Sequence, residues 1–550
     1  MGKLLALRDQ KVWAYDGKYW TLRTIGAERR PIPITSFVMT VQRQIQRDGD
    51  LIREVAIANE LGETVEGVPL EAASMANPTR FREFLYQQPI SLVFEGTGVD
   101  LIHLWKLILI ESAVSTITEL EQVGRIPLES TPVWAFGDVM ICDGVAIAPS
   151  PDGIFTRDKK KYRLSDPFGT GVPTIPALGE DLPPEVTSLH DLRRHTAGLL
   201  HVNLGFDGWT LLGWVGASLY AHVIRQRYDG FTLLFAVGSR ESGKNVFGRW
   251  ATSFFKGIKP LGATSSTRVG FERAFEHYSH LPVWVEEYRN TKAVTSKDSV
   301  FRAAYDGVAD LKGKRGEGGL TRLPKACVLF TGEEVPNDNA LLSRCAIVEL
   351  SKTKRNSDPQ VFERLNDLSE HWPALTRDLL LKQNPDSEKA FLAEVQRVYQ
   401  QLTTITSERQ RRHFAVIAAG LGLFLEDTDE YVKWLQGEGK RQQELKEADS
   451  LLSEFIIDLE AMHLQELIPT EYYATQEEWL CVQLKAIYNL WEKYYRQRRG
   501  ESPLGYRSLL GYLQEAAYYA GTERVYLNSR RKRCVQIDLE KAEGLFDFLV

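Results

Sequence analysis

The sequence predicts an α/β protein with a doubly wound parallel sheet at its centre, and three observations support this fold class. Apolar runs typical of buried strands occupy residues 231–237, 281–287 and 326–331. The intervals between them are long enough to hold a helix and its connections. The first run passes into a glycine-framed loop and an amphipathic segment at residues 245–255, as expected where a strand feeds a helix through a tight turn.

The composition is that of an ordinary globular protein, with 43% hydrophobic and 25% charged residues in a chain of 550. A net charge of −6 argues against a uniformly basic nucleic-acid binder, although positive charge can be confined to a channel or a small domain. The five cysteines show no paired spacing, which argues against structural zinc or a disulfide framework. The longest uncharged run, residues 209–224, is shorter than the ~20 residues of a membrane span, so we expect a cytoplasmic protein without membrane partners.

Residues 1–160 are predicted to form a mixed α/β N-terminal domain. The expected elements are a hairpin at 12–22, strands at 35–45 and 51–59, helices at 77–86 and 98–115, and short strands within 134–148. Residues 151–184 are rich in proline, glycine and aspartate and carry a run of charges, which predicts a linker or surface loop at the domain boundary. A collar that binds nucleic acid, or an oligomerisation role, fits the position of this domain.

Residues 238–245 are the feature around which the chain is organised. Glycines let the backbone N–H groups converge, and the following helix N-terminus adds its positive dipole end, so the loop forms a phosphate cradle. The predicted cofactor-binding residues are Gly238, Ser239, Arg240, Glu241, Ser242, Gly243, Lys244 and Asn245. Lys244 would reach the β- and γ-phosphates, whereas Asn245 replaces the Ser or Thr that holds Mg²⁺ in the P-loop pattern. The alternative is an ordinary strand–turn–helix with a chance Gly-Lys pair.

Acidic and polar residues at the ends of the next two apolar runs supply candidates for nucleotide hydrolysis, which needs a metal ligand and a group that orients water. We predict that Glu286 binds Mg²⁺ and that Glu287 is catalytic, although two solvated acids would give the same pattern. Thr331 could sense the γ-phosphate or simply begin a turn. Arg344 could act as an arginine finger toward a neighbouring subunit or be an ordinary surface arginine.

Two basic segments are candidates for DNA contacts through phosphates. Lys312, Lys314 and Arg315 lie in a glycine-framed segment between the second and third strands, and Arg530, Arg531, Lys532 and Arg533 lie at a predicted hairpin. Solvated loops are the alternative for both. Arg409, Arg411 and Arg412, at the start of a predicted helix, could supply a second nucleotide-sensing arginine.

The remaining chain divides by its periodicity. The core is predicted at 185–350, a helical lid or linker region at 351–470, and a DNA-binding winged helix at 471–550. Within the last region we expect helices at 479–499 and 504–521, then two strands within 524–537.

The segment from about residue 33 to residue 350 resembles the domain of unknown function found in plasmid- and prophage-encoded primase–helicase proteins. The resemblance lies in residues 238–245, 263–287 and 329–333. More distantly the chain is similar to superfamily-three and minichromosome-maintenance helicases, and residues 341–344 resemble the finger motif of the minichromosome-maintenance group. The resemblance implies an AAA+-like P-loop ATPase core that uses ATP and Mg²⁺, assembles into hexameric rings and moves along DNA through pore loops. Carried over, Lys244 binds phosphate, Glu287 catalyses and Arg344 acts in trans, with Lys312, Lys314 and Arg315 as pore-loop residues.

These observations predict a ring-forming, ATP-dependent DNA helicase or translocase of a mobile genetic element that acts in DNA replication. Because Asn245 departs from the P-loop pattern, an ATP-switched DNA-binding initiator or loader with little turnover is an alternative. An antiviral defence ATPase built on the same ring is another.

Overall fold

The computed structural model describes most of the chain: residues 11–47, 50–111, 116–128, 131–165, 175–308, 323–353, 355–356, 358–448, 451–476, 478–499, 503, 505–516, 518–527, 530–542 and 545–549. The chain forms two compact units. The first comprises Met1–Glu334, Ala346–Val398 and His413–Tyr431, and the second comprises Val335–Cys345, Tyr399–Arg412 and Val432–Val550. The predicted division at residues 160, 185, 350 and 470 stays a prediction.

The strands are numbered in chain order. They are β1 Val12–Tyr15, β2 Lys18–Ile25, β3 Glu28–Pro33, β4 Phe37–Arg47, β5 Asp50–Asn59, β6 Thr64–Glu71, β7 Thr116–Leu120, β8 Val123–Leu128, β9 Thr131–Ala135, β10 Met140–Cys142, β11 Val145–Ile147, β12 Ile154–Arg157, β13 Lys160–Leu164, β14 Leu233–Val237, β15 Leu261–Gly262, β16 Tyr278–Ser279, β17 Pro282–Tyr288, β18 Cys327–Gly332, β19 Cys345–Glu349, β20 Tyr473–Gln476, β21 Trp479–Val482, β22 Tyr519–Leu527 and β23 Arg530–Asp538.

The α-helices surround and connect these strands, and they dominate the chain between β19 and β20. They are Pro78–Tyr86, Gly98–Glu111, Leu189–Leu204, Phe206–Ser218, Ala221–Tyr228, Lys244–Ser253, Arg268–His277, Lys292–Thr295, Asp298–Asp306, Asn339–Leu342, Pro359–Ser369, Trp372–Leu381, Pro385–Gln401, Glu408–Leu421, Asp429–Ala448, Leu451–Leu464, Leu484–Arg499 and Tyr506–Glu515. The predicted mixed α/β character and the predicted helical stretch after residue 350 are therefore confirmed. No helix among the described residues combines the length and apolarity that crossing a membrane would take.

The predicted hairpin at 12–22 is confirmed, because β1 and β2 pair antiparallel through a two-residue turn. Both turn residues, Asp16 and Gly17, have positive φ, of 49° and 70°. This is the backbone that a twisted hairpin needs, and aspartate followed by glycine adopts it readily. The same pair recurs at Asp143-Gly144 between β10 and β11.

The predicted linker at 151–184 is wrong for its first part. Strands β12 and β13 form a hairpin there, and β13 lies parallel to β7 within a sheet of order β12-β13-β7-β4-β5-β6. The charge run hid a strand pattern: Tyr162 and Leu164 are buried on one face, and Arg163 between them makes salt bridges with Glu54 and Glu119. Alternation of side chains across a strand accounts for both sets of contacts.

The central sheet has the order β15-β17-β18-β14-β19, and β14, β17 and β18 include the three strands predicted from apolar runs. The β15–β17, β17–β18 and β14–β18 pairs are parallel. Phe330 of β18 packs against Phe301 of helix Asp298–Asp306, at 5.0 Å between ring centroids. The next residue, Thr331, accepts a hydrogen bond from Trp284, whose ring lies against Gly248 of helix Lys244–Ser253. Consecutive side chains of a strand point to opposite faces, so the sheet carries a helix on each face, as predicted.

The C-terminal sheet has the order β20-β21-β23-β22 with antiparallel pairing. The predicted helix at 479–499 is wrong at its start, because Trp479–Val482 is a strand and the helix begins at Leu484. Strand-favouring side chains and pairing with β23 outweigh the helical spacing there. The predicted helix at 504–521 likewise ends at Glu515, and β22 begins at Tyr519.

Candidate functional site

A cavity of about 790 Å³ lies at the carboxyl end of the central sheet, within the first unit. Its lining residues are Arg240, Glu241, Ser242, Gly243, Lys244, Asn245, Val246, Glu287, Tyr288, Arg289, Thr331, Gly332, Glu333 and Arg355. They lie at the ends of β17 and β18 or in the segments that follow β14, β17, β18 and β19, and these strands are neighbours in the sheet in the order β17-β18-β14-β19. In a doubly wound sheet, ligands bind in a crevice outside the carboxyl ends of the strands where the strand order reverses. Here β14, the first of these strands in the chain, has later strands on both sides.

The loop after β14 needs glycine at both of its ends. A Cβ at Gly238 would lie 2.3 Å from the carbonyl oxygen of Leu350 and 2.5 Å from the Oγ of Ser242. Gly243 has a φ of 99° and caps the helix Lys244–Ser253, a backbone that other residues adopt only with strain. The loop is held to the sheet by the N–H of Gly238, which donates to the carbonyl of Gly332. The sequence pattern of two glycines therefore reports a real backbone requirement.

Lys244 is the first residue of that helix and lies inside the curl of the loop. Its Nζ donates to the carbonyl oxygens of Gly238 and Ser239, each at 2.6 Å. Burial lowers the pKa of this ammonium group, and the carboxylate of Glu333 acts in the opposite direction. The lysine thus supplies positive charge at the mouth of the loop, beside the N-terminal end of a helix, where anions are stabilised.

The structure separates the two glutamates predicted to act together. Glu287 lines the cavity, whereas Glu286 does not belong to its lining. The register of β17 against β18 shifts between Val285 and Tyr288, and Glu287 has a positive φ of 59°. A bulge of this kind re-aims a side chain at the end of a strand, and a left-handed backbone at a residue other than glycine stores strain. Burial raises the pKa of Glu286, and repulsion from the carboxylate of Glu287 adds to this effect. The magnesium role predicted for Glu286 remains a prediction without a place in this cavity.

Thr331 lines the cavity at the end of β18 but is 1% exposed, and its hydroxyl accepts a hydrogen bond from Trp284 Nε1 at 2.9 Å. The indole of Trp284 fills the space beside Gly248, where a Cβ would lie 2.3 Å away. The hydroxyl is therefore oriented by the packing of the loop's own helix against the strand that carries Glu287.

Side chains with oxygen atoms of the type that binds hard cations line the cavity, but the described residues include no group of three or more His, Cys, Asp or Glu placed to hold a metal ion. Mg²⁺ prefers carboxylate, hydroxyl and amide oxygens, and Asn245, Glu287, Thr331 and Glu333 all line the cavity. Asn245 is exposed at the second position of the helix, where the P-loop pattern places a hydroxyl. Ser242 Oγ is buried and has no hydrogen-bond partner among the described residues, so it is a further oxygen at the loop.

One wall of the cavity was missed from the sequence. Arg355 follows β19 in the chain and lies beside the glycine-framed loop that follows β14. Its Nη1 is 3.7 Å from the position that a Cβ of Gly243 would take, and its guanidinium is 5.7 Å from the ring of Phe362. Lys352 of the same segment forms a salt bridge of 2.8 Å with Glu241 at the loop. The positions of these two cations in the sequence could have indicated this role. Lys352 and Arg355 come just after the apolar run at 345–350, as Glu286 and Glu287 come at the end of the run at 281–287.

The remaining predicted arginines of the nucleotide site lie in the second unit. Arg344 donates through Nη1 to the carbonyl of Ala340, and Arg409 donates to the hydroxyl of Ser343. Arg411 donates to the carbonyl of Ile405. The roles predicted for Arg344, Arg409, Arg411 and Arg412 stay predictions.

The two predicted DNA-binding segments have different outcomes. Lys312, Lys314 and Arg315 fall within 309–322, which lies outside the described residues. Arg530, Arg531 and Arg533 are exposed on β23, while Lys532 is half-buried and its Nζ lies 5.3 Å from the ring of Tyr472. The four cations of the predicted run therefore do not share one environment, since Lys532 is half-buried while the three arginines are exposed.

Comparison with known proteins finds likeness in structure alone. No family model matches the chain, and no curated protein sequence matches it. A solved structure titled "SCCmec type IV Cch – active helicase" is 12% identical, with a TM-score of 0.57 over 98% of this chain and 99% of the other. The apo C-terminal region of NrS-1 is 11% identical over 88% of this chain and 94% of that one, with a TM-score of 0.31. The Aeropyrum pernix ORC2 protein is also 11% identical over 60% and 92%, with a TM-score of 0.17. This chain therefore shares the fold of the first of these, a helicase, over nearly its whole length.

Proposed function

We propose that this protein is a P-loop ATPase that couples hydrolysis of ATP to movement along DNA, as a helicase or translocase of a mobile genetic element that acts in replication. One observation carries the proposal: a single cavity contains the glycine-framed loop, Lys244, Glu287 and Thr331, from three neighbouring strands. The fold shared with a structure titled as an active helicase supports the coupling to DNA.

The residues divide the work by position. The loop N–H groups and Lys244 would bind the β- and γ-phosphates in place of the carbonyl oxygens that Lys244 contacts now. Glu287 and Thr331 lie on the β17–β18 side of the loop, which is where a water in line with the γ-phosphate would be oriented. Glu287 would polarise that water and accept its proton. Asn245, together with oxygens of the phosphates, would hold Mg²⁺, which when bound would supply positive charge to offset charge on the phosphates.

The rest of the functional assignment is inferred from the resemblance and from charge. We infer a homo-oligomeric, hexameric ring in which Arg344 reaches the γ-phosphate of a neighbouring subunit. The segment with Lys312, Lys314 and Arg315 would line the channel, and residues 471–550 would act as a winged-helix DNA-binding domain. The region 1–160 would serve as a collar.

The decisive experiment compares ATP hydrolysis by the wild-type chain and by Lys244→Ala, with and without single-stranded DNA. We expect DNA-stimulated turnover and strand displacement in the wild type, and loss of ATP turnover by two or more orders of magnitude in the variant. Lys325→Ala is a suitable control, because Lys325 is a partly buried lysine of the same unit outside the cavity. Full ATPase activity of Lys244→Ala would refute the assignment.

A nucleotide-switched DNA-binding initiator or loader is the second candidate, and Asn245 favours it. The amide oxygen of Asn245 lies one bond farther from the backbone than the hydroxyl oxygen of the P-loop pattern, and Glu286 does not line the cavity. Tight ATP binding without Mg²⁺-dependent release of phosphate would establish the switch. Asn245→Thr would then be expected to raise turnover.

A further inference from the structure

The ribbon formed by β22 and β23 in the second unit divides its side chains between two faces. Residues that pair directly across antiparallel strands share a face. Arg524 pairs with Arg533 and Tyr526 pairs with Arg531, so these four side chains lie on one face, which we call the arginine–tyrosine face. Lys532 and Arg530 lie on the other, opposite Val525 and Leu527. The predicted run 530–533 is therefore not one basic patch.

The opposite face of the ribbon packs against neighbouring strands of the same sheet. Leu527, Cys534 and Cys481 form a small buried cluster there, with Val525 packed against it. Lys532 lies over the ring of Tyr472 and donates to the carbonyl of Glu471. This face therefore holds the ribbon to the strands beside it, and only Arg530 at its tip is an exposed cation.

The arginine–tyrosine face becomes free where the ribbon leaves the core. Val535 and Ile537, farther along the same face of β23, are buried in the core of this domain. Beyond Val535, the cations Arg524, Arg531 and Arg533 are all exposed, and Tyr526 is 66% exposed. Among the described residues no carboxylate forms a salt bridge with any of these arginines.

The pattern continues onto the adjoining helices. Lys485, at the start of helix Leu484–Arg499, holds its Nζ 4.5 Å from the centroid of the Tyr506 ring. Burial raises the pKa of Tyr506, and the positive charge of Arg533 partly opposes this, which places Arg533 near the same ring. Cations and aromatic rings therefore alternate from Lys485 through Tyr506 and Arg533 to Tyr526.

We infer that the arginine–tyrosine face binds single-stranded nucleic acid, with Tyr526 stacking on a base and Arg524, Arg531 and Arg533 contacting phosphates. The inference rests on the proposed function and gives its DNA-binding domain a substrate class. Successive pairs along the ribbon are ~7 Å apart, which suits a chain of repeating phosphates and bases. A duplex buries the faces of its bases in the stack, whereas a single strand offers them to an aromatic side chain.

Two adjacent residues of the same charge give a matched test. Arg531→Ala removes a cation from the arginine–tyrosine face, and Arg530→Ala removes the neighbouring cation from the opposite face. Binding of the full chain to a fluorescent oligo-deoxythymidylate is measured by anisotropy at several salt concentrations, without nucleotide. We expect Arg531→Ala to weaken binding several-fold and to reduce the salt slope by about 0.7, the value for one phosphate contact on a single strand. Arg530 belongs to the run predicted from the sequence to contact DNA, but Arg530→Ala is expected to lose much less affinity than Arg531→Ala.

Tyr526 tests the stacking step. Tyr526→Ala is expected to weaken binding by about tenfold or more, because stacking of one base contributes ~1–3 kcal/mol, while Tyr526→Phe retains affinity. Thermal unfolding of each variant checks that the ribbon remains folded. Equal losses for Arg530→Ala and Arg531→Ala would overturn the inference, as would unchanged binding by Tyr526→Ala or equally tight, Tyr526-independent binding of a duplex.

Failure of this inference can be told apart from failure of the proposed function. If the chain hydrolyses ATP but the face variants bind the oligonucleotide like the wild type, only the inference fails. If the variants of the arginine–tyrosine face lose binding of the oligonucleotide but the wild type neither binds nor hydrolyses ATP, only the proposed function fails.

Discussion

Replacing Glu287 with glycine should abolish ATP turnover and at the same time stabilise the protein. Glu287 has a φ of 59° in the bulge at the end of β17. An ordinary side chain in this left-handed region costs roughly 1–2 kcal/mol, because its Cβ approaches the following carbonyl oxygen. Glycine does not carry that cost, so Glu287→Gly relieves strain that the fold otherwise maintains at the cavity.

The expected gain is small and its sign is the test. The relief of ~1–2 kcal/mol is opposed by ~0.5–1 kcal/mol, since glycine gives the unfolded chain more freedom to lose. The net stabilisation is therefore between about 0 and 1.5 kcal/mol, centred on ~0.75 kcal/mol. A change of 1 kcal/mol shifts Tm by ~2–4 °C in a domain of about 150–250 residues, and by less in a larger one. Because the first unit is larger than this, we expect Tm to rise by about 1 °C.

Scanning fluorimetry without nucleotide measures the shift, and phosphate release measures turnover. Glu287→Gln separates charge from backbone: it should lose turnover and relieve the repulsion with Glu286, but it keeps the strain. Glu286→Gly is the matched control, because Glu286 is not among the residues with positive φ, so it should destabilise by ~0.5–1 kcal/mol. A Tm for Glu287→Gly at or below that of Glu287→Gln would refute the strain argument.

Three further predictions concern the same unit. Arg355→Ala should weaken the binding of ATP and of ADP by the same several-fold factor, because Arg355 lies at the Gly243 side of the loop, away from Glu287. Displacement of a fluorescent nucleotide measures both affinities, and a loss for ATP alone would contradict this prediction. Gly238→Ala should destabilise by ~1–3 kcal/mol, since its Cβ would lie 2.3 Å from a carbonyl oxygen, whereas Gly198→Ala, with open space in a helix, should stabilise by up to ~1 kcal/mol. Burial lowers the pKa of His222 from its usual 6.5, and the hydrogen bond with His222 lowers the pKa of Glu388. Both groups therefore contribute stability that is present above about pH 6.5 and is lost progressively as the pH falls below it. The Tm should fall on acidification, and His222→Gln should flatten this dependence of Tm on pH.

The central sheet could be predicted because its signals are local. An apolar run of strand length followed by glycines and a lysine leaves few alternatives, and β14, β17 and β18 occur where the runs were found. The hairpin at Asp16-Gly17 was predictable for the same reason, since only a few residue pairs adopt its backbone. The order of the strands, which brings β18 between β14 and β17, is not encoded in any local pattern.

The features that the sequence did not reveal depend on contacts between distant residues. Strand β13 was hidden because its charged face pairs with Glu54 and Glu119, which are far away in the chain. Strand β21 was taken for helix because its pairing with β23 lies more than fifty residues later in the sequence. The exclusion of Glu286 from the cavity depends on a one-residue shift of register, which composition cannot express.

The departure at Asn245 can be weighed against what surrounds it. A threonine hydroxyl at this position would act as one metal ligand among several, whereas in the proposed function the loop backbone and Lys244 would contact the phosphates independently of it. The cavity retains the glycine geometry, the lysine and the strained Glu287, and strain of this kind persists only where the surrounding structure maintains it. A protein that needed nucleotide only as a bound switch would gain nothing from holding Glu287 in this backbone. The strain at Glu287 therefore favours turnover over a passive switch, and the stability of Glu287→Gly measures the cost at which that geometry is kept.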